Sequence, residues 1–271
     1  MNFYIIIVVY NQFVENSPII KELFKCTSLY LYCADNSTKT EIIQKNTKFC
    51  KEKSINYFCM DGNVGLSSAY NHVIQQIPKD LNNYIIICDQ DTEVNNTIIE
   101  NYKKAIFSNP KKMIFCPIIK DNKGIMSPAK FTGRRYVHSR YDDFNKKIGN
   151  YSFINSCMCV NSIIFEKLKY DENLFLDCVD YDFVNTIRQY FTDEIFFVIE
   201  DYEIFQNFSG VTKNAFESDY TRFKIYLKDF RYFYKKWYRK SFYSEKILLA
   251  RAIKLSLIHR NFSFMKIYFT K

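Results

Sequence analysis

Short, continuous runs of apolar and β-branched residues recur along the first half of the chain, and stretches of helical pattern separate them. Phe3–Tyr10 (FYIIIVVY) contains no charged position, the pattern of a strand buried on both faces. Pro18, one residue into a segment from Ser17 to Lys25, predicts a helix there. Leu29–Ala34 predicts a second strand ending on Asp35-Asn36-Ser37, and Thr38–Lys51 predicts a helix. Ile55–Met60 predicts a third strand ending on Asp61-Gly62-Asn63, followed by a helix capped by Ser67 and running to Ile77, before Pro78. Tyr84–Cys88 predicts a fourth strand that stops at Asp89-Gln90-Asp91, then a helix over Asn96–Ser108 and a strand over Met113–Ile118. Such β-α repetition predicts an α/β fold, a single domain with a mostly parallel central sheet and helices on both faces. Ligands of these sheets bind beyond the carboxyl ends of the strands, and Asp35, Asn63, Asp89 and Asp91 all fall there.

The pattern lapses over residues 120–150, which hold Arg134, Arg135, His138 and Arg140 and read as a long loop over the site. It resumes with Tyr151–Val160, a helix near Ser162–Lys169, a helix over Val179–Gln189 and a strand over Ile195–Ile199. Beyond that the chain reads as helical. Apolar residues at Phe223, Leu227, Phe230, Phe233 and Trp237 keep helical spacing, with basic residues between them, and a second basic helix is expected over Ser244–His259.

Charge sharpens this division. The 271 residues carry a net charge of +9, but residues 213–271 alone hold 15 Lys and Arg against 4 Asp and Glu. The expected organisation is therefore a catalytic body over 1–212 and a basic helical region over 213–271. Basic amphipathic helices suit an anionic membrane surface; the same stripes also suit packing on the body or on a second subunit, as in a homodimer. No segment reaches the ~18 apolar residues of a membrane span. The nine cysteines sit mostly inside apolar runs, as buried reduced thiols do in a cytoplasmic protein, with zinc binding as the alternative.

Two acidic clusters carry candidate chemistry. Asp89 and Asp91, at i and i+2 on a strand end, can converge on one Mg²⁺ or Mn²⁺ that also takes diphosphate oxygens; otherwise they are two solvated turn acids. Asp177, Asp180 and Asp182 lie at the predicted start of a helix. Asp180, between apolar Val179 and Phe183, has the setting of a general base with a raised pKa, whereas acids at a helix N-terminus are also favoured by the macrodipole alone.

Taken together, IVVYN (6–11), ADNST (34–38), NVGLSSAYN (63–71), IICDQDTE (86–93) and DENLFLDCVDYDFVNTIRQ (171–189) resemble, in order, the motifs of a family 2 glycosyltransferase. The resemblance covers roughly residues 3–210 and implies the Rossmann-like glycosyltransferase-A fold with inverting transfer. It implies that Asp35 meets the donor base, that Asn63, Gly65 and Asn71 shape the nucleotide pocket, that Asp89 and Asp91 hold the donor diphosphate through the metal, and that Asp180 is the catalytic base. Arg188 is implied as an ion-pair partner further along the same helix. The variants LFLDCVDYDF and NVGLSSAYN look most like the rhamnosyltransferase-type branch. The expected donor is then deoxythymidine diphosphate rhamnose or a uridine diphosphate hexose. The expected acceptor is a glycan or lipid-linked glycan of a bacterial surface polysaccharide, met in the cytoplasm or at the inner face of the cell membrane. Asn207 stands where many relatives carry a metal-binding His, and Thr186 where an Arg is common.

Two other readings compete. A nucleic-acid binder acting through the basic helices is disfavoured because no recognised nucleic-acid motif accompanies them. A catalytically inactive relative that only binds sugar nucleotides is disfavoured by the intact Asp89, Asp91 and Asp180.

Overall fold

A computed structural model describes residues 1–26, 29–132, 136–206, 215–239 and 242–270. The first half alternates strand and helix: β1 (Asn2–Val9), α1 (Pro18–Leu23), β2 (Leu29–Asp35), α2 (Thr40–Glu52), β3 (Asn56–Cys59), α3 (Leu66–Ile74), β4 (Asn83–Asp89) and α4 (Ile98–Ser108). The second half holds β5 (Ile114–Asp121), β6 (Gly124–Phe131), β7 (Tyr136–Ser139), β8 (Tyr151–Ser152), β9 (Met158–Asn161), α5 (Ile164–Lys167), α6 (Val179–Tyr190) and β10 (Phe196–Phe205). Then come α7 (Phe216–Tyr238), α8 (Phe242–His259) and α9 (Ser263–Phe269).

One sheet runs β3-β2-β1-β4-β9-β5-β6-β7, with β10 added on β5 and β8 on β6. β3, β2, β1 and β4 are mutually parallel. β9 enters antiparallel between β4 and β5, and β6 is antiparallel to its neighbours. The sheet is thus mixed but mostly parallel in direction. Its core has two layers, and β1 feeds both: Tyr4, Ile6 and Val8 enter one cluster while Phe3, Ile5, Ile7 and Val9 enter the other. The unbroken apolar run of β1 follows from burial on both faces.

Three expectations change. Residues 120–150 are not one long loop. Asp121 Oδ1 accepts the amides of Lys123 and Gly124, making a tight turn that returns the chain as β6, which β7 and β8 then flank. Arg134 and Arg135 lie outside the described residues. Ser67 does not cap α3; Gly65 holds the cap position and Ser67 is buried inside the helix. Finally, Phe223, Leu227, Phe230 and Phe233 of α7, with Leu248 of α8 and Phe264 of α9, belong to the same core cluster as Ile6 and Ile85 of the sheet. The apolar stripe of α7 is therefore core of the α/β body, not a face left for a membrane. Among the described residues no helix is long and apolar enough to cross a membrane.

Candidate active site

β1 lies at the middle of the parallel strands, and the motifs expected to bind donor flank its carboxyl end. Val9 is opposite Asp35 of β2, and Val8 is opposite Asp89 of β4. The turn after β4 is pinned by its central residue. Gln90 Oε1 accepts the Tyr10 amide at 2.9 Å, and its carbonyl accepts the Ser17 hydroxyl at 2.6 Å. That leaves the acids on either side to do chemistry. Asp91 is exposed and Asp89 half-buried. Burial holds the Asp89 carboxyl above its ordinary range and the charge of Asp91 adds to this, while hydrogen bonds from Gln206 and Ser156 pull it down. Two carboxylates at i and i+2, one of them raised by its burial and by the charge of the other, fit a hard divalent cation, Mg²⁺ or Mn²⁺, whose remaining ligands would come from water and a diphosphate. Among the described residues no group of three His, Cys, Asp or Glu forms a self-sufficient metal cage; Asn207 lies outside them.

Asp180 sits in the first turn of α6, just after Cys178, whose φ of 63° is left-handed and uncommon outside glycine. Its Oδ1 accepts the Tyr181 amide at 2.8 Å. Burial pushes its pKa up to about 7, and the charges of Asp89 and Asp177 add to the rise against the backbone hydrogen bonds. The buried Tyr70 of α3 is held up chiefly by burial, then by the fields of both Asp89 and Asp180, so the two acids share one site. The neighbouring acids are otherwise engaged. Asp177 is held by both guanidinium nitrogens of Arg222. Asp182 accepts Trp237 Nε1 at 2.7 Å and Lys236 Nζ at 3.0 Å. Asp180 has no cationic partner among the described residues, which leaves its carboxylate available for a proton.

A family model for glycosyl transferase family 2 matches residues 4–175. The chain belongs to glycosyl transferase family 2. No curated sequence matches the chain significantly. Among solved structures, a mannosyltransferase from Pyrobaculum calidifontis, PcManGT, in complex with GDP-Man and Mn²⁺, aligns with a TM-score of 0.59 and 10% identity over 98% of this chain and 73% of its own. GalNAc-T7 with UDP, GalNAc and Mn²⁺ aligns at 0.59 and 13% identity, over 97% of this chain and 56% of its own. TarS 1-349 from S. aureus aligns at 0.55 and 13% identity, over 85% of this chain and 65% of its own. The chain thus spans less than two thirds of both TarS 1-349 and GalNAc-T7. At these identities the likeness establishes the glycosyltransferase-A fold.

The remaining motif residues of the chain are placed near the site but largely occupied. Asp35 is wholly buried; its Oδ1 accepts the Ser37 amide, and its Oδ2 accepts Asn46 Nδ2 and the Tyr57 hydroxyl, both at 2.8 Å. It braces β2, β3 and α2, and a nucleotide base reaches it only by displacing one of those donors. Asn71 is buried and spans from α3 to the segment before Asp177: its Nδ2 donates to the Tyr170 carbonyl and Glu172, and its Oδ1 accepts the Tyr170 amide. Gly65 has φ +84°, and a Cβ there would stand 2.7 Å from the Phe175 carbonyl oxygen. Asn63 is exposed, its Oδ1 accepting the Gly65 amide at 3.1 Å. The NVGLSSAYN segment therefore docks residues 170–175 as closely as it borders the pocket. Arg188 pairs with Asp193 at 2.6 Å, an ion-pair role as expected. Sequence reasoning missed Arg222, Lys236 and Trp237. Their signal was present, Arg222 and Lys236 as basic residues and Trp237 in the apolar stripe of that helix, but it was read as a membrane-facing or packing surface and not as partners of Asp177 and Asp182.

Proposed function

We propose that the chain transfers a sugar from a nucleoside diphosphate donor to a glycan hydroxyl with inversion at the anomeric carbon. The observation that carries this reading is Asp180: a desolvated carboxylate with pKa about 7, unpaired by any cation among the described residues, in the same site as Asp89. A base with that pKa accepts a proton near neutral pH. Asp180 takes the proton of the acceptor hydroxyl as that oxygen bonds to the anomeric carbon from one face. The bond to the diphosphate breaks on the other face, and its electron pair leaves with the diphosphate. Asp89 and Asp91 would hold Mg²⁺ or Mn²⁺, which when bound offsets charge on the leaving group.

The donor proposed is deoxythymidine diphosphate rhamnose or a uridine diphosphate hexose. Support comes from the resemblance of LFLDCVDYDF to the rhamnosyltransferase-type branch and from the UDP and UDP-GlcNAc complexes of TarS. PcManGT binds GDP-Man, so the base must be read directly. The acceptor proposed is a lipid-linked glycan of a surface polysaccharide at the inner face of a membrane. Here the support is α8 and α9. Phe242, Leu257 and Phe262 are 78%, 72% and 82% exposed, and Lys246, Lys254 and Lys266 are exposed beside them. Apolar side chains ringed by cations complement anionic lipid headgroups.

The test is a thermal-shift series with thymidine, uridine and guanosine diphosphates, with and without Mn²⁺, followed by release of diphosphate from the matching sugar donors. A pyrimidine diphosphate is expected to stabilise the protein most, with the Mn²⁺-dependent part lost in Asp91→Ala. Stabilisation by none of the three sinks the transferase reading, and the strongest stabilisation by guanosine diphosphate sinks the donor assignment.

A further inference from the structure

The segment that delivers Asp180 has almost no regular structure of its own. Residues 171–178 form turns and bends between α5 and α6, yet the amides of Phe175, Leu176 and Asp177 all donate to one atom, Oδ2 of Asp229, at 3.1, 2.7 and 2.9 Å. Three successive amides aimed at one point make an anion-binding nest, a feature that elsewhere holds a ligand. Here the anion is a side chain from α7, wholly buried, with its second oxygen lacking a hydrogen-bond partner among the described residues. Burying a half-satisfied carboxylate beside Phe230 and Phe233 costs stability, so its position calls for a return.

The stripe it belongs to indicates what that return is. Arg222, Asp229 and Lys236 lie seven residues apart on α7, two turns each, and so on one face. Arg222 holds the Asp177 side chain, Asp229 the three amides, and Lys236 both Asp171 and Asp182, at 2.9 and 3.0 Å. From the last tethered amide only Cys178 and Val179 intervene before Asp180. Cys178 is in a left-handed conformation, which costs about 1–3 kcal/mol and persists only where neighbours impose it. On the other side, the Phe175 carbonyl accepts the Leu66 amide at 2.7 Å, tying the same loop to the start of α3.

We infer that Asp229 is a positioning residue for transfer: its carboxylate, from the C-terminal helix, organises the 175–177 amides and so fixes where Asp180 meets the acceptor hydroxyl. The inference rests on the transferase reading above. It makes the basic helical region part of the catalytic apparatus.

The experiment compares full-length wild type, Asp229→Ala and Asp229→Asn, with melting followed for each. In Asp229→Ala, deuterium uptake by peptides covering 171–185 should rise, and kcat should fall about 100-fold, the scale of a misplacement of ~1 Å. Diphosphate affinity by calorimetry should stay within about twofold, because Asp89 and Asp91, the acids placed to hold the diphosphate, lie at the end of β4 and not on the 171–178 segment. Asp229→Asn keeps an acceptor oxygen for the amides without the charge and should lose only about tenfold. In an Asp180→Asn background, adding Asp229→Ala should change residual turnover less than about twofold, since both act through one group. Unchanged uptake over 171–185, an unchanged kcat in either folded variant, or additive losses in the double variant overturns the inference. A wild-type chain that turns over no donor refutes instead the transferase reading beneath it.

Discussion

Replacing Asp180 by Asn should stabilise the protein while cutting transfer by about 10²–10⁴-fold. In the unfolded chain the carboxyl ionises at its ordinary 3.8, and in the folded chain at about 7. Between those values the folded state holds the proton that the unfolded state has lost. Stability therefore falls as pH rises through the window and reaches its full deficit above about 7. At ~1.4 kcal/mol per pH unit the deficit is roughly 4 kcal/mol for a fully dry site. The side chain keeps some contact with water, which screens the penalty, so about 2 kcal/mol is the working figure. Asn carries no charge and its oxygen still accepts the Tyr181 amide. At pH 8 the variant should melt about 4–8 °C above wild type, at ~2–4 °C per kcal/mol for a chain of this size. At pH 4, where the folded wild type is already protonated, the gain should vanish. Differential scanning calorimetry at the two pH values, with turnover measured on the same samples, gives both readings. A variant that melts below wild type at pH 8, or that gains equally at both pH values, refutes the claim that burial of ionised Asp180 strains the fold.

Gly65→Ala should cost about 3 kcal/mol, because φ +84° with ψ 171° belongs to glycine and the new methyl meets a backbone oxygen; a melt within about 1 °C of wild type would show that the loop can yield. Leu257→Glu combined with Phe262→Glu should abolish flotation with vesicles containing phosphatidylglycerol and leave transfer to a soluble acceptor unchanged. Undiminished flotation would remove α8 and α9 from the membrane assignment, and sedimentation of wild type as a dimer that the double variant loses would reassign the face to a second copy.

The parallel half of the fold was legible because β1 and β4 are buried on both faces and read as unbroken apolar runs, and β2, though Tyr30 is exposed, carries no charge before Asp35. The places of Asp89 at a strand end and of Asp180 in the first turn of a helix were legible because acids there directly follow an apolar strand or open an amphipathic helix. The β6–β7 region was not. β7 has only four residues, β6 and β7 carry Lys130 and His138, and β6 is joined to β5 by a turn whose Asp121 and Gly124 were read as loop composition. The fate of α7 was illegible for another reason. A basic side chain on a helix looks the same in sequence whether it faces water, lipid or a carboxylate 45 residues away, as Arg222 does toward Asp177. Asp35 was placed correctly at its strand end, but nothing local announced that Asn46 and Tyr57 would enclose it.

The stripe of Arg222, Asp229 and Lys236 also imposes an order on synthesis. All ten strands precede α7 in the chain, so the sheet can assemble on the ribosome before the helix that holds Asp171, Asp177 and Asp182 has emerged. Asp182 waits 54 residues for Lys236, roughly 3–11 s at ~5–20 residues per second. Throughout that interval the acidic segment of a nascent chain has emerged without its counterions, and the sheet lacks the core that Phe223, Phe230 and Phe233 of α7 supply. A stalled or truncated product that ends before α7 would therefore leave Asp171, Asp177 and Asp182 without the partners that hold their segment in place.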